Sequence, residues 1–236
     1  MFFYIDWTYV IFVIPAIILS IFASAMVSAT FNKYSKINST CGLTAAQVAR
    51  QILDKNGLTD VKIEHVRGNL TDHYDPRRNV IRLSESTYYS TSSAAIGVAT
   101  HEVGHVLQYY KKYLPIKIRQ AIIPATRIGS QLAIPLIILG VFLSTLGEHF
   151  CYIAYAGIAL FGLSVLFQLI TLPVEFNASK RAIKQLSSNN ILTKEELGHS
   201  KKVLTAAAMT YVAALTVSVM QLLRLLLIVS RRSRRN

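Results

Sequence analysis

Long stretches of this chain carry no Asp, Glu, Lys or Arg for long enough to cross a bilayer, among them Trp7 to Ala29, Ile128 to Gly147 and Cys151 to Leu172. At about 1.5 Å of rise per residue, helices of such length cover a hydrocarbon core roughly 30 Å thick. In lipid every backbone polar group must be satisfied within the protein, so such runs fold as helices. The first run competes with a cleavable signal peptide through Ala23-Ser24-Ala25, yet it lacks a basic leader and exceeds the usual apolar core of about 7 to 15 residues. The second and third runs are separated only by Glu148-His149-Phe150 and read as a transmembrane hairpin. Pro135 falls near the start of the second run, where a proline costs least. A last apolar stretch, Val203 to Ser230, is interrupted by Arg224 and several Thr, Tyr and Gln residues. It reads either as a fourth span or as a helix packed at the interface.

Composition agrees. Of 236 residues, 52% are apolar and only 16% charged, against about 25% charged in soluble domains, which excludes disorder for most of the chain. The formal net charge is +13, from 25 Lys and Arg against 12 Asp and Glu. In a soluble protein this excess would raise nucleic-acid binding first. Here 14 basic residues lie in Phe31 to Arg127 and six in Pro173 to Thr205, with none in the Glu148 loop. The positive-inside rule therefore places both polar blocks in the cytoplasm, and no nucleic-acid partner is expected. The four terminal arginines, Arg231, Arg232, Arg234 and Arg235, fit this scheme poorly if the last stretch is a simple span. Two cysteines, Cys41 and Cys151, offer neither a disulfide framework nor a metal-site spacing.

Within the first polar block Thr44 caps a helix through Ala45, Val48, Ala49, Ile52 and Leu53, which stops at Asn56-Gly57. Val61 to Val66 alternates as a strand. Leu70 to Tyr74 and Asn79 to Leu83 flank the turn Asp75-Pro76-Arg77-Arg78, which predicts a small meander. Asn79 to Leu83 is an edge-strand candidate for binding an extended peptide. Ser92 or Ser93 caps a further helix running to about Tyr113. In the second block Pro173 suits the first turn of a polar helix, and Thr193-Lys194-Glu195-Glu196 opens another.

The helix after Ser93 contains His101-Glu102-Val103-Gly104-His105, an H-E-x-x-H pattern. Residues i and i+4 share a helix face, so both imidazoles reach one zinc ion while the glutamate stands beside its open position. A catalytic zinc takes a third protein ligand and leaves the fourth place to water. The candidates are Glu175, His199, His73 and Asp72; Glu175 is favoured because a charge so close to the apolar boundary needs a partner. His73, Tyr74, Arg181 and Tyr211 are candidates for stabilising an oxyanion or contacting substrate.

With these residues in view the chain resembles the YugP-like family of membrane zinc metallopeptidases, through Leu70 to Arg77, Val80 to Ser84, Val98 to Gln108 and Leu172 to Ala182, over nearly its whole length. That family is similar to the membrane gluzincins. The resemblance implies that His101, His105 and Glu175 are zinc ligands, one Zn2+ per chain, and that Glu102 is the catalytic acid/base. Related membrane gluzincins carry an acidic residue four positions after the third ligand, where this chain has Ser179. Support of a ligand histidine by an acidic residue is therefore not available at that position, and Asn177 and Ser179 are the candidates for it.

The resulting expectation is a mainly α membrane protein, with three to four transmembrane helices and a small α+β zincin-like cytoplasmic domain. Its parts are an N-terminal span (1–30), a zincin-like part with the H-E-x-x-H helix (31–127), a hairpin (128–172), a helical part bearing the third ligand (173–205), and a C-terminal helix with a basic tail (206–236). The expected function is zinc-dependent peptide hydrolysis in membrane protein quality control or processing, acting on peptides or membrane proteins from the cytoplasmic side of the bacterial inner membrane. A catalytically silent zinc-containing scaffold or chaperone is the alternative.

Overall fold

The computed structural model describes residues 7–233. Its elements in chain order are a π-helical turn Tyr9–Val13, helix α1 (Ile14–Tyr34), α2 (Ala45–Lys55), strands β1 (Lys62–Val66), β2 (His73–Asp75) and β3 (Val80–Ser84), then α3 (Ser93–Tyr110), α4 (Leu114–Leu143), a 3-10 turn Glu148–Phe150, α5 (Cys151–Ser188) and α6 (Lys194–Ser233). Among the described residues four helical stretches are long and apolar enough to cross a membrane: Tyr9–Tyr34, Leu114–Leu143, Glu148–Ser188 and Lys194–Arg231. The last apolar stretch thus belongs to a continuous helix of span length. Arg234 and Arg235 lie outside the described residues.

The chain divides into two compact units. One comprises Met1–Phe22, Lys117–Leu172 and Thr210–Asn236; the other comprises Ala23–Ile116 and Pro173–Met209. In the first, Ile18, Phe142, Leu146 and Leu169 are exposed, an apolar surface that calls for a lipid solvent. Small residues join its helices. A Cβ on Gly140 would collide with the Ala154 backbone, and one on Gly157 would come within 2.7 Å of the Ala133 carbonyl oxygen, the close backbone approach through which membrane helices gain packing contacts.

Two prolines sit differently from expectation. The helix holding Pro135 begins at Leu114, so Pro124 and Pro135 are both interior. Pro173 does not start a helix but lies inside α5, which runs on from the apolar segment into the polar one. Neighbouring helices and local adjustments make interior prolines tolerable in membrane helices, so the sequence rule for soluble helix starts misleads here.

The second unit is built on α2, α3 and a three-stranded sheet. Thr44 and Gln47 form a reciprocal capping box at the start of α2, Asn56 caps its end and Gly57 turns with φ +73°. Ile52 and Leu53 of α2, Ile81 and Leu83 of β3, Ile96 and Val103 of α3, and Leu186 of α5 make the core. The sheet order is β1-β3-β2. β3 pairs parallel with β1 and antiparallel with β2, so the expected meander is corrected. So is the edge-strand reading of Asn79 to Leu83, because β3 is the central strand.

The physical cause lies in burial. Val80, Ile81, Leu83 and Ser84 are buried, so β3 needs a neighbour on each side. Arg82 ties it to both, pairing with Glu64 of β1 at 3.2 Å and Asp75 of β2 at 3.1 Å. Leu70, expected in a strand, instead has φ +54° and packs against the cluster of Phe31, Tyr34, Ala94 and Val203. That excursion carries the chain past β3 before β2 forms.

Candidate metal centre

The α3 helix starts where its sequence says it should: the Ser92 hydroxyl accepts from the Ala95 backbone N–H. The helix buries nearly every residue from Ser93 to Gln108, apart from a few that include His101 and His105. Gly104, between the two histidines, is where α5 comes close. A Cβ there would stand 2.5 Å from the Ala178 carbonyl oxygen, so only glycine permits this approach. One turn before Ala178 on α5 stands Glu175, which the approach carries against both histidines. Gly97 plays a similar part toward α6, since its Cβ would meet the Ser200 side chain at 2.9 Å. Ser200 in turn donates to the Ser93 carbonyl at 2.6 Å.

His101, His105 and Glu175 place one ligand atom each within 4.8 Å of one another. Glu175 Oε2 is 3.3 Å from His101 Nε2 and 3.4 Å from His105 Nε2, and the imidazole rings are nearly perpendicular at 4.7 Å. The three side chains are only 14%, 12% and 3% exposed. Glu102 is buried beside them. Burial alone would depress the His105 pKa, but the hydrogen bond to Glu175, the charges of Glu102 and Glu175, and the Gln108 amide outweigh it and hold it above the ordinary histidine value.

Both remaining histidine nitrogens are engaged from behind. His101 Nδ1 is 3.1 Å from Ser179 Oγ, and His105 Nδ1 is 3.0 Å from Gln108 Oε1. The Gln108 amide nitrogen donates to the Val174 carbonyl at 2.7 Å and to Asn177 Oδ1 at 3.1 Å. Asn177 Oδ1 also accepts from Arg181 Nε at 2.7 Å, and that guanidinium lies over the Tyr113 ring. Two imidazoles and a carboxylate, each imidazole tethered through its far nitrogen, form a donor set that fits catalytic zinc.

The expected departure at position 179 is therefore resolved locally: Ser179 itself reaches His101, while Asn177 acts on His105 through Gln108. Gln108 is the site residue that sequence reasoning misses. Its signal is present in the sequence, since a glutamine three positions after His105, among apolar neighbours on the buried side of a helix, needs a polar partner.

The chain matches the family model described as "Putative neutral zinc metallopeptidase" over residues 9–230. It belongs to that family. This zinc metallopeptidase family member is 47% identical over 220 residues to "Putative membrane protease YugP" of Bacillus subtilis, covering 93% of the chain and 96% of the relative. No solved structure matches it.

The other ligand candidates have different employment. Asp72 accepts from the Ser84 backbone and hydroxyl, both at 2.8 Å, fixing the end of β3. His199 stacks on Tyr34 at 4.5 Å. His73 is exposed on β2, its Nδ1 2.9 Å from the Thr71 carbonyl. Tyr74 donates to Asn79 Oδ1 at 2.9 Å, and burial with the nearby Tyr109 raises its pKa to about 12. Arg181 is held by Asn177, and Tyr211 belongs to the other unit.

Proposed function

We propose that this protein is a membrane zinc endopeptidase that hydrolyses peptide bonds with Glu102 as general acid/base. The observation that carries this reading is the convergence of His101, His105 and Glu175, two of them on a helix whose intervening residue is a buried glutamate. Zinc held by these three residues would supply Lewis acidity, to polarise a carbonyl and lower the pKa of a water toward about 7. Glu102 accepts the proton of the attacking water and delivers it to the leaving amine. Ser179 and Gln108 hold the two imidazoles in place during these steps. The Tyr74 phenol stays protonated at physiological pH and is kept on the sheet by Asn79.

The concentration of 20 of the 25 basic residues in the two polar blocks supports a cytoplasmic active site in the cell membrane. Peptides or membrane proteins undergoing quality control or processing are the substrates proposed. Metal analysis and cleavage of an unfolded membrane protein, run on wild type and on His101→Ala with and without chelator, test this. Zinc in the wild type with chelator-sensitive cleavage, both lost in His101→Ala, is the expected outcome. Zinc without chelator-sensitive cleavage contradicts the peptidase and favours a zinc-bearing scaffold.

A further inference from the structure

α1 and α6 enclose an open cleft of about 500 Å³ in the second unit, whose lining changes character along its length. Met26, Ala29 and Ala206 form an apolar part; Lys33, Lys201 and Lys202 form a basic part. Both helices change character at this cleft. On α1 the uncharged run ends at Asn32 and Lys33 is the first cation; on α6 Lys202 is followed by no charge until Arg224.

The basic part is organised around Tyr34, which is 7% exposed and stacked on His199. Lys33 Nζ and Lys202 Nζ, from different helices, lie 5.4 and 5.6 Å from the Tyr34 ring centroid. Among the described residues no carboxylate lines the cleft and no ion pair uses any of its three lysines. Glu196, nearby in sequence on α6, is occupied with Thr40 and Thr193. Three lysines lining one part of a groove whose other part is apolar, none of them in an ion pair among the described residues, constitute an anion site with a hydrocarbon side. Thr30 and Thr205 add hydroxyls to its wall.

We infer that this cleft binds the headgroup of an anionic glycerophospholipid, with its phosphate on Lys33, Lys201 and Lys202 and an acyl chain along Met26, Ala29 and Ala206. Basic pockets between membrane helices recognise anionic headgroups through this combination of charge and apolar contact. Free phosphate shares the charge but leaves the apolar half of the cleft unused. The lipid would brace α1 against α6 where the two helices line the cleft. None of the residues lining the cleft belongs to the zinc centre.

The test uses the full-length protein in phosphatidylcholine nanodiscs with and without phosphatidylglycerol, counting lipids retained after detergent extraction by native mass spectrometry. Wild type is expected to retain one anionic lipid. Lys33→Gln/Lys201→Gln/Lys202→Gln should weaken retention about 100-fold, from the attraction expected of three lysines near a lipid surface. Lys55→Gln/Lys111→Gln/Lys112→Gln, which removes equal charge outside the cleft, should leave retention unchanged. Ala29→Phe fills the apolar part without altering charge and should also reduce retention, which keeps the test decisive if the lysine variant fails to fold. Equal loss in both lysine variants, undiminished retention in the cleft variants, or inorganic phosphate binding as tightly as the lipid would overturn the inference.

Discussion

Gln108 Oε1 accepts from His105 Nδ1 at 3.0 Å, and the direction of that hydrogen bond is forced from both ends of the network behind it. The Val174 carbonyl can only accept, so the Gln108 amide nitrogen must face it; Arg181 can only donate, so Asn177 must present its oxygen. Gln108 is left with its carbonyl toward His105. A proton therefore sits on Nδ1, so the nitrogen left for a metal is Nε2, once zinc displaces the proton it shares with Glu175. A neutral amide here does what a carboxylate does behind many zinc-bound histidines.

Gln108→Leu keeps approximate volume but abandons His105 Nδ1 and the Val174 carbonyl. Zinc affinity should fall about 10-fold to 100-fold, measured by competition with a chromophoric chelator. Unchanged affinity would remove Gln108 from the site. Histidine 15N shifts of the zinc-loaded protein should show His105 protonated at Nδ1 in the wild type, with that signal displaced in the variant, whose Nδ1 has lost its acceptor.

Ser179 supports His101 through one neutral hydrogen bond, so Ser179→Ala should cost about threefold to tenfold in zinc affinity. Ser179→Asp supplies an ionised acceptor to the same nitrogen and should bind zinc at least as tightly as wild type. An aspartate variant that binds more weakly than the alanine variant contradicts this role.

The approach of α3 to α5 at Gly104 is a packing prediction. Gly104→Val should destabilise the protein by about 1 to 3 kcal/mol through overpacking against Ala178, and should lower zinc occupancy because Glu175 moves with α5. Gly198 has nothing within 4 Å of its would-be Cβ. Gly198→Ala on α6 should instead stabilise by roughly 0.5 to 1 kcal/mol. Thermal melts in detergent compare the two; equal melting temperatures would remove the close approach as an explanation.

Local rules carry over from sequence to structure where a single side chain decides the outcome. Thr44 and Ser92 cap the helices they should, and His101 and His105 share a face because helical spacing leaves no alternative. The assignment of Glu175 rests on a charge beside an apolar boundary, and the close approach at Gly104 supplies its partners. Strand order is not legible, since it depends on where Leu70 packs and on the need of β3 for cover on both sides. The prolines mislead because their cost depends on the neighbouring helices. Gln108 shows in the sequence as a glutamine in need of a partner, but its role does not, because that role comes from Val174, Asn177 and Arg181, which belong to a different helix far along the chain.

The most direct test of the account is Glu102→Gln, assayed for bound zinc and for cleavage of an unfolded membrane protein in the same preparation. The variant keeps every proposed metal ligand and should retain one zinc per chain, while cleavage falls by about 10²-fold to 10⁴-fold with the loss of the acid/base. Wild-type cleavage rates in a zinc-loaded Glu102→Gln protein would contradict the central claim.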